Sequence, residues 1–380
     1  MIFNRKAISI NYIFEQIGPI GLLFRSVVLM FFKFVRSINK IIAHQNDEIL
    51  IISLHRLGDT VFTIPAIKEL YKKFGHRLTI VCYSHSVPIY NLEISDIKFI
   101  VINSEDYLFG GRIAKSGLKK KLKKIKPGLV IDITGSMKSA SLIFSLRAKT
   151  IIGTNGDQFK SIYDQFVKFR TEPRLSDIYL DVIRPILEIS TQKENLTEKV
   201  RLNSSGKILL HPFAGWNEKE WGVKKFANLA IILNENFNVG FIIQDNQFSS
   251  DVIDEIGSYN VEVIQSKSSN HLTETIRESS FFIGNDSGPV NLANYLGIPT
   301  LTIFGATNPD YTSEYTEHQI YLQKVVKCSA RKDEKFCSIG GMVYCCSGVQ
   351  CMNLLSVEEV YKKIIPLLNK YCEKKISEPV

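Results

Sequence analysis

The residues with the most chemical content form the turn Asn285-Asp286-Ser287-Gly288-Pro289, which follows the apolar run Phe281-Phe282-Ile283 and precedes a helix-like stretch and a second apolar run, 300–304. A polar cap followed by proline near the first helical position predicts a strand, a turn and a helix start. Such a start aims free backbone N–H groups and the positive end of the helix dipole at the carboxyl edge of a sheet, where a nucleotide diphosphate can sit. There Ser287 would add a hydroxyl, Gly288 would permit close approach, and Asp286 would orient donors or bind sugar hydroxyls. An ordinary cap with no ligand uses the same residue types, so the turn alone leaves both readings open.

What is missing narrows the chemistry. The first strand-to-helix turn, Ser53-Leu54-His55-Arg56-Leu57-Gly58-Asp59-Thr60, has one glycine where a dinucleotide fingerprint has three. No GxxxxGK[ST] segment occurs, which removes the P-loop, and no Asp-x-Asp pair offers itself to a divalent ion. The expectation is a reaction on a nucleotide ligand without metal or other cofactor.

The elements that must carry this turn alternate. β-Branched runs at 49–54, 78–83, 97–102 and 129–133 are separated by helical stretches such as 61–74 and 136–146. The pattern restarts with runs at 208–210, 239–243, 261–265, 281–283 and 300–304. Alternation of this kind predicts an α/β fold of two Rossmann-like domains with parallel sheets and a cleft between them. The polar stretch 188–205 is the linker candidate, which gives 1–46 as an amphipathic helix, 47–190 as the first domain and 191–380 as the second. A last helix, 357–371, is expected to pack back across the boundary.

The formal net charge of +9 is concentrated in two patches: residues 1–46 carry six basic side chains against one acidic, and 112–126 carry eight against none. A nucleic-acid binder would spread basic residues over its body with aromatics between them, so none is expected as a partner. In 17–41 the uncharged runs, 17–24 and 26–32, are each too short to span a bilayer, which needs ~20 apolar residues. At 100° per residue Arg25, Lys33, Arg36 and Lys40 share an arc of about 80°, with Val28, Phe31, Phe32, Phe34, Val35 and Ile38 over the rest, the pattern of a helix lying on anionic headgroups. A helix docked on the protein's own surface is the competing reading. No small-residue cleavage site follows a compact apolar core, which speaks against a signal peptide. Of the seven cysteines, Cys328, Cys337, Cys345, Cys346 and Cys351 cluster without paired CxxC knuckles. A loop without a bound ion is the favoured reading over a structural metal or redox pair.

Five blocks in order, ILIISLHRLGDTVFTIPAI (49–67), DITGSMKSA (132–140), ILLHPFAGWNEKEW (208–221), FFIGNDSGPVNLANYLGIPTLTIFGATNPD (281–310) and CMNLLSVEEV (351–360), resemble glycosyltransferase family 9, which includes the ADP-heptose:lipopolysaccharide heptosyltransferases. The resemblance implies a GT-B fold, with acceptor bound by the first domain and an ADP-sugar by the second. It also implies metal-independent transfer with inversion at the anomeric carbon.

By that resemblance Asp59 is the catalytic base, a role that suits a carboxylate beside an acceptor hydroxyl that must lose its proton; by sequence alone it reads as a helix N-cap. Lys219 is implied to meet the donor phosphates, offsetting charge on the departing diphosphate. Ala214 and Gly215 would assist through backbone N–H groups, and Asp286, Ser287 and Gly288 would form the donor turn. The family's Gly-x-x-His is here Gly288-Pro289-Val290-Asn291, so Asn291 can hydrogen-bond a ribose or phosphate but cannot titrate. Nor does the glycine usual after the strand at 239–243 appear in Gln244-Asp245-Asn246. Arg56, Ser136 and Lys138 are the candidate acceptor contacts, and Lys119, Lys120, Lys123 and Lys124 would form one cationic face toward an anionic glycolipid. The expected protein is a cytoplasmic enzyme, peripheral on the inner face of the cytoplasmic membrane, that moves heptose onto a lipopolysaccharide core or similar anionic glycan. A nucleotide-sugar epimerase of the same fold, or a non-catalytic nucleotide-sugar-binding subunit, are the alternatives.

Overall fold

The apolar runs form strands because their side chains are buried on both faces, which suits parallel sheets covered by helices. A computed structural model describes residues 19–43, 46–108, 112–170, 172, 174–188, 200–244, 257–258, 261–313, 316–330, 334–337 and 348–375. Packing groups the chain into two units that part near residue 191.

The first unit runs α1 (Pro19–Ile41), β1 (Ile49–Ile52), α2 (Leu57–Phe74), β2 (Leu78–Tyr83), α3 (Val87–Tyr90), β3 (Lys98–Ile102), an antiparallel pair β4 (Tyr107–Leu108) and β5 (Ile113–Ala114), then α4 (Ser116–Lys123), β6 (Leu129–Asp132), α5 (Met137–Ile143), β7 (Thr150–Thr154), β8 (Gln165–Val167) and α6 (Leu175–Ile183). Its six-stranded sheet has the order β3-β2-β1-β6-β7-β8, parallel throughout.

The second unit runs β9 (Ile208–His211), α7 (Val223–Asn234), β10 (Val239–Gln244), β11 (Glu262–Ser266), α8 (Ser269–Arg277), β12 (Phe281–Asn285), α9 (Gly288–Tyr295), β13 (Thr300–Phe304), β14 (Gln319–Gln323), α10 (Gln350–Asn353) and α11 (Val357–Tyr371). Its sheet order is β11-β10-β9-β12-β13-β14, again parallel. Helix α11 begins at a capping box between Ser356 and Glu359 and puts Val360, Ile364 and Leu368 into the second unit's own core, beside Phe226 and Trp221.

In both sheets the strand order reverses in the middle, at β1/β6 and at β9/β12. Consecutive crossovers leave in opposite directions there, and a crevice opens at the carboxyl ends of the two central strands. The turns after these four strands are 53–59, 132–138, 211–219 and 285–291, and they hold every site residue named from the sequence.

Helix α1 departs from the sequence reading. Arg36 is buried: it donates to Ala148 O (2.9 Å) and Lys149 O (3.2 Å) and pairs with Asp164, which Lys40 also reaches at 3.1 Å. Asn39 donates to Phe144 O (3.2 Å), and Phe32 packs edge-on against Phe144 with centroids 5.2 Å apart. Arg36 therefore grips the first unit instead of facing outward, because buried carbonyls and a carboxylate satisfy a guanidinium better than a hydrated surface does, while Lys40 stays exposed as it reaches the same carboxylate. Lys33 stays exposed, and the Arg25 side chain lies outside the described set. Among the described residues no helix is long and apolar enough to cross a membrane.

Burial raises the Asp164 carboxyl, but hydrogen bonds from Arg36, the Ile151 amide and Lys40 outweigh it and hold the group below the usual carboxylate range. Its folded pKa is thus depressed, so its stabilisation is complete above about pH 4 and lost as pH falls through the folded value. Replacing Arg36→Met should cost about 2–3 kcal/mol at neutral pH, because two carbonyls lose their donor and Asp164 keeps only Lys40 and the Ile151 amide. Far-UV circular dichroism in denaturant should show that gap narrowing at about pH 3. An equal gap at both pH values would remove the ion pair from the account.

Candidate active site

In the first unit the chain leaves β1 through Ser53, Leu54 and His55 and enters α2, whose N-cap is Arg56 without a side-chain cap bond. The helix starts at Leu57, ahead of the expected 61, so Asp59 lies in its first turn and is not the N-cap. Asp59 is half-buried and Arg56 exposed. Behind them sits a polar network: Ser53 Oγ lies 2.8 Å from His55 Nδ1 and 2.6 Å from the Tyr90 hydroxyl, which meets Thr63 Oγ1 at 2.9 Å. The His55 ring stands edge-on to Tyr179 with centroids 5.0 Å apart. Burial pulls His55 down to about 4, against the opposing pull of the Asp59 charge, so the ring is neutral at neutral pH. The same Asp59 charge, after burial, raises the Tyr179 hydroxyl. Among the described residues His55 Nε2 and the Tyr179 hydroxyl are buried without a hydrogen-bond partner.

The turn after β6 is shaped by Asp132, which accepts from the amides of Thr134 (3.0 Å) and Gly135 (3.4 Å) and from the Tyr163 hydroxyl (2.7 Å). Complete burial pushes its carboxyl up to about 6 despite those bonds. Gly135 takes φ +63, and a Cβ there would lie 2.4 Å from the Phe169 ring, so the turn requires glycine. Ser136 is the N-cap of α5, accepting from the Ser139 amide at 3.4 Å. Lys138 donates to the Tyr83 hydroxyl (3.1 Å) and lies over the Tyr83 and Tyr107 rings at 5.7 and 5.8 Å, which holds the cation at the edge of the sheet.

In the second unit the turns after β9 and β12 are tied together. Asn285 accepts from the Trp221 amide (3.0 Å) and donates to Pro212 O (2.7 Å), fixing the 212–221 loop across the strand end. Lys219 Nζ pairs with Asp286 Oδ2 at 2.6 Å and lies 5.4 Å from the Trp216 ring centroid; Thr307 donates to the same carboxylate oxygen at 2.8 Å. The Lys219 side chain is only 12% exposed, so its charge is held in place by a partner as buried as itself. The Ala214 amide donates to Glu220 Oε1 at 2.9 Å, and half-burial raises the Glu220 carboxyl. Gly215 is exposed. At Gly305 a Cβ would fall 2.7 Å from Met352 Cε and 3.1 Å from Glu218 O, so glycine lets the end of β13 approach the lysine turn.

Ser287 is the N-cap of α9, followed by Gly288 at the first helical position and Pro289. Its hydroxyl makes no cap bond and is buried with no partner among the described residues. Asn291, also buried, lies one turn on, its amide bonded to Ser287 O at 3.1 Å. Free backbone amides at a helix start, with a mostly buried lysine nearby, are groups that suit an anion.

The structure thus brings together Lys219, Asp286, Ser287, Gly288 and Asn291 on one unit, and Asp59, Arg56, Ser136 and Lys138 along one sheet edge of the other. Sequence reasoning missed Asn285 as the tether, Thr307 as the second partner of Asp286, and the whole network behind Asp59. Thr307 lay within a recognised block; lone His55, Tyr90 and Tyr179 carried no spacing signal. Cys345 and Cys346 fall outside the described residues, as do Asp245 and Asn246; Cys328 and Cys337 are half-buried and Cys351 is buried. Among the described residues no group of three or more His, Cys, Asp or Glu could hold a metal ion.

Residues 116–340 match glycosyltransferase family 9 (heptosyltransferase). The chain is 32% identical over 132 residues to lipopolysaccharide heptosyltransferase 1 of Campylobacter coli, a match spanning 32% of this chain and 38% of that relative. It is 24% identical over 282 residues to lipooligosaccharide heptosyltransferase 2 of Campylobacter jejuni, covering 70% of this chain and 83% of the other. The fold superposes on E. coli heptosyltransferase WaaC with ADP at a TM-score of 0.60 and 15% identity, over 85% of this chain and 99% of that one. With the matched segment covering more than half of its length, this chain belongs to glycosyltransferase family 9.

Proposed function

We propose that this enzyme moves heptose from ADP-heptose onto a lipopolysaccharide core or similar anionic glycan, inverting the anomeric carbon without a metal ion. The observation that carries the reading is the Lys219–Asp286 pair beside the unfilled Ser287 hydroxyl at the start of α9. Family membership and the named activities of the Campylobacter relatives support the sugar and the acceptor class, and the ADP of the E. coli neighbour supports the nucleotide.

In this reading the acceptor oxygen attacks the anomeric carbon as Asp59 takes its proton, and the bond from that carbon to the diphosphate oxygen breaks with its electron pair going to ADP. Lys219 and the amides opening α9 offset the charge that builds on the departing diphosphate. Asp286 holds the ammonium in position, so little reorganisation accompanies the step. Lys138, set between two tyrosines, and exposed Arg56 bind anionic groups of the acceptor. His55, neutral and packed on Tyr179, keeps the wall behind Asp59 uncharged.

Asp59→Ala should lower kcat by roughly 10² to 10⁴ while donor affinity stays nearly constant. A variant that keeps more than about half the wild-type turnover would exclude Asp59 as the base.

For Lys219→Ala, calorimetry should show ADP and ADP-heptose binding weakened by about 1.5 to 3 kcal/mol, the scale of a hydrogen bond to a charged group. The same change strands the Asp286 carboxylate and should lower stability by about 2–3 kcal/mol. Both tryptophans, Trp216 and Trp221, lie in this unit, so their fluorescence reads that loss. Unchanged nucleotide affinity in a folded Lys219→Ala protein would contradict the phosphate role.

A further inference from the structure

Asp59 sits in the first turn of α2, and that turn lacks the usual local anchor, because the N-cap residue Arg56 supplies no side-chain cap bond. The chain before it has already left the sheet. Strand β1 ends at Ile52, paired with Asp132 of β6, and the Ile133 amide still donates to Ile52 O at 3.1 Å. One step further, a continued parallel ladder would have the Leu54 amide donate to the Ile133 carbonyl. It donates instead to Thr134 Oγ1 at 2.8 Å, and the same hydroxyl donates to Ile52 O at 3.0 Å. One buried hydroxyl thus serves both backbone groups where the chains leaving β1 and β6 part. Thr134 is itself fixed by Asp132, which accepts from its amide at 3.0 Å.

The other flank is closed from the end of β2. His85 Nε2 lies 2.9 Å from His55 O, and since a carbonyl can only accept, this nitrogen carries the hydrogen. The His85 ring stacks on Tyr83, which receives the Lys138 ammonium, with ring centroids 5.6 Å apart. Ser86 meets Thr60 Oγ1 at 2.9 Å, and Thr60 donates to Arg56 O at 3.0 Å. Leu54, His55 and Thr60 are therefore each held by a side chain from a neighbouring strand end, in a segment with no side-chain cap of its own.

We propose that Thr134 and His85 are positioning residues for the transfer: they set the entry of α2, and with it where the Asp59 carboxylate stands relative to Ser136 and Lys138 on the adjoining turn. The inference rests on the reading of Asp59 as the base. Thr134 suits the role because it belongs to the turn that carries Ser136 and Lys138 and bonds the turn that leads to Asp59, so one residue registers the two against each other. Placement on this scale matters, since displacing a reacting group by about 1 Å costs on the order of 10²-fold in rate.

The test measures kcat, acceptor KM and ADP affinity in Thr134→Val, Thr134→Ser and His85→Phe, each alone and combined with Asp59→Ala. Thr134→Val keeps the shape and removes the hydroxyl; kcat and kcat/KM should fall together by roughly ten- to a hundredfold, with acceptor KM and ADP affinity unchanged. Thr134→Ser keeps the hydroxyl and should stay near wild type. His85→Phe keeps the stacked ring and loses the bond to His55 O at a half-buried position, so it reads the second clamp even where Thr134→Val does not fold. It too should lower kcat without changing KM. In the Asp59→Ala background both changes should cost little more, because residues acting as one unit are not additive. The proposal is overturned if His85→Phe or a folded Thr134→Val keeps wild-type kcat, or if Thr134→Ser falls as far as Thr134→Val. Losses that multiply in full with an impaired Asp59→Ala overturn this inference alone; wild-type turnover in Asp59→Ala overturns the base reading and this inference with it.

Discussion

A parallel sheet whose strand order reverses at its centre must separate the connections leaving its two middle strands, and the chemistry of this protein is laid along that separation. Backbone hydrogen bonding fixes β1 beside β6 and β9 beside β12. The four turns that follow them cannot be filled by crossover helices, because those helices have gone to opposite faces. Polar residues placed after these strands therefore converge without any local sequence relation. Asp286 and Lys219, far apart in the chain, meet at 2.6 Å for this reason.

Convergence alone would leave costly buried polar groups, and the structure satisfies most of them with one another. Asn285 uses both ends of its amide to hold the lysine loop, and Asp132 gathers two amides and a tyrosine hydroxyl at the opposite unit's corresponding turn. The groups left over are informative because of that background. The Ser287 hydroxyl and His55 Nε2 are buried and unpartnered among the described residues, and each belongs to a turn at a reversal point. In the proposed reading the Ser287 hydroxyl is the one that a donor diphosphate would meet.

Much of the fold was legible because apolar runs bounded by turn residues leave little choice: the strands at 78–83 and 300–304 and the helix at 357–371 coincide with expectation. Strand β8, three residues long, and β14, whose QIYLQ has only three apolar residues between two glutamines, lie at sheet edges where burial is incomplete and the signal faint. Gly153 interrupts the apolar run of β7, where a Cβ would fall 2.8 Å from Asp132. The early start of α2 was hidden by Gly58 and by Arg56, a poor cap. On the N-terminal helix the periodicity was read correctly but the direction of its faces was not, since nothing local in Arg36 shows that Asp164 and the carbonyls of 148 and 149 await it. The roles proposed for Asp59 and Lys219 rest on the order of five blocks, because a single carboxylate or lysine in a loop carries no such information.

The central claim, transfer of one sugar with inversion by groups of the chain alone, is tested most directly by product analysis. Purified enzyme would be given ADP-heptose and a heptose-free lipopolysaccharide core in the presence of a chelator, with the acceptor followed by mass spectrometry and the new linkage by NMR. The account predicts an acceptor heavier by one heptose, an equal amount of ADP, and an anomeric configuration opposite to that of the donor. ADP release without a gain in acceptor mass, a retained configuration, or loss of turnover on chelation would contradict it.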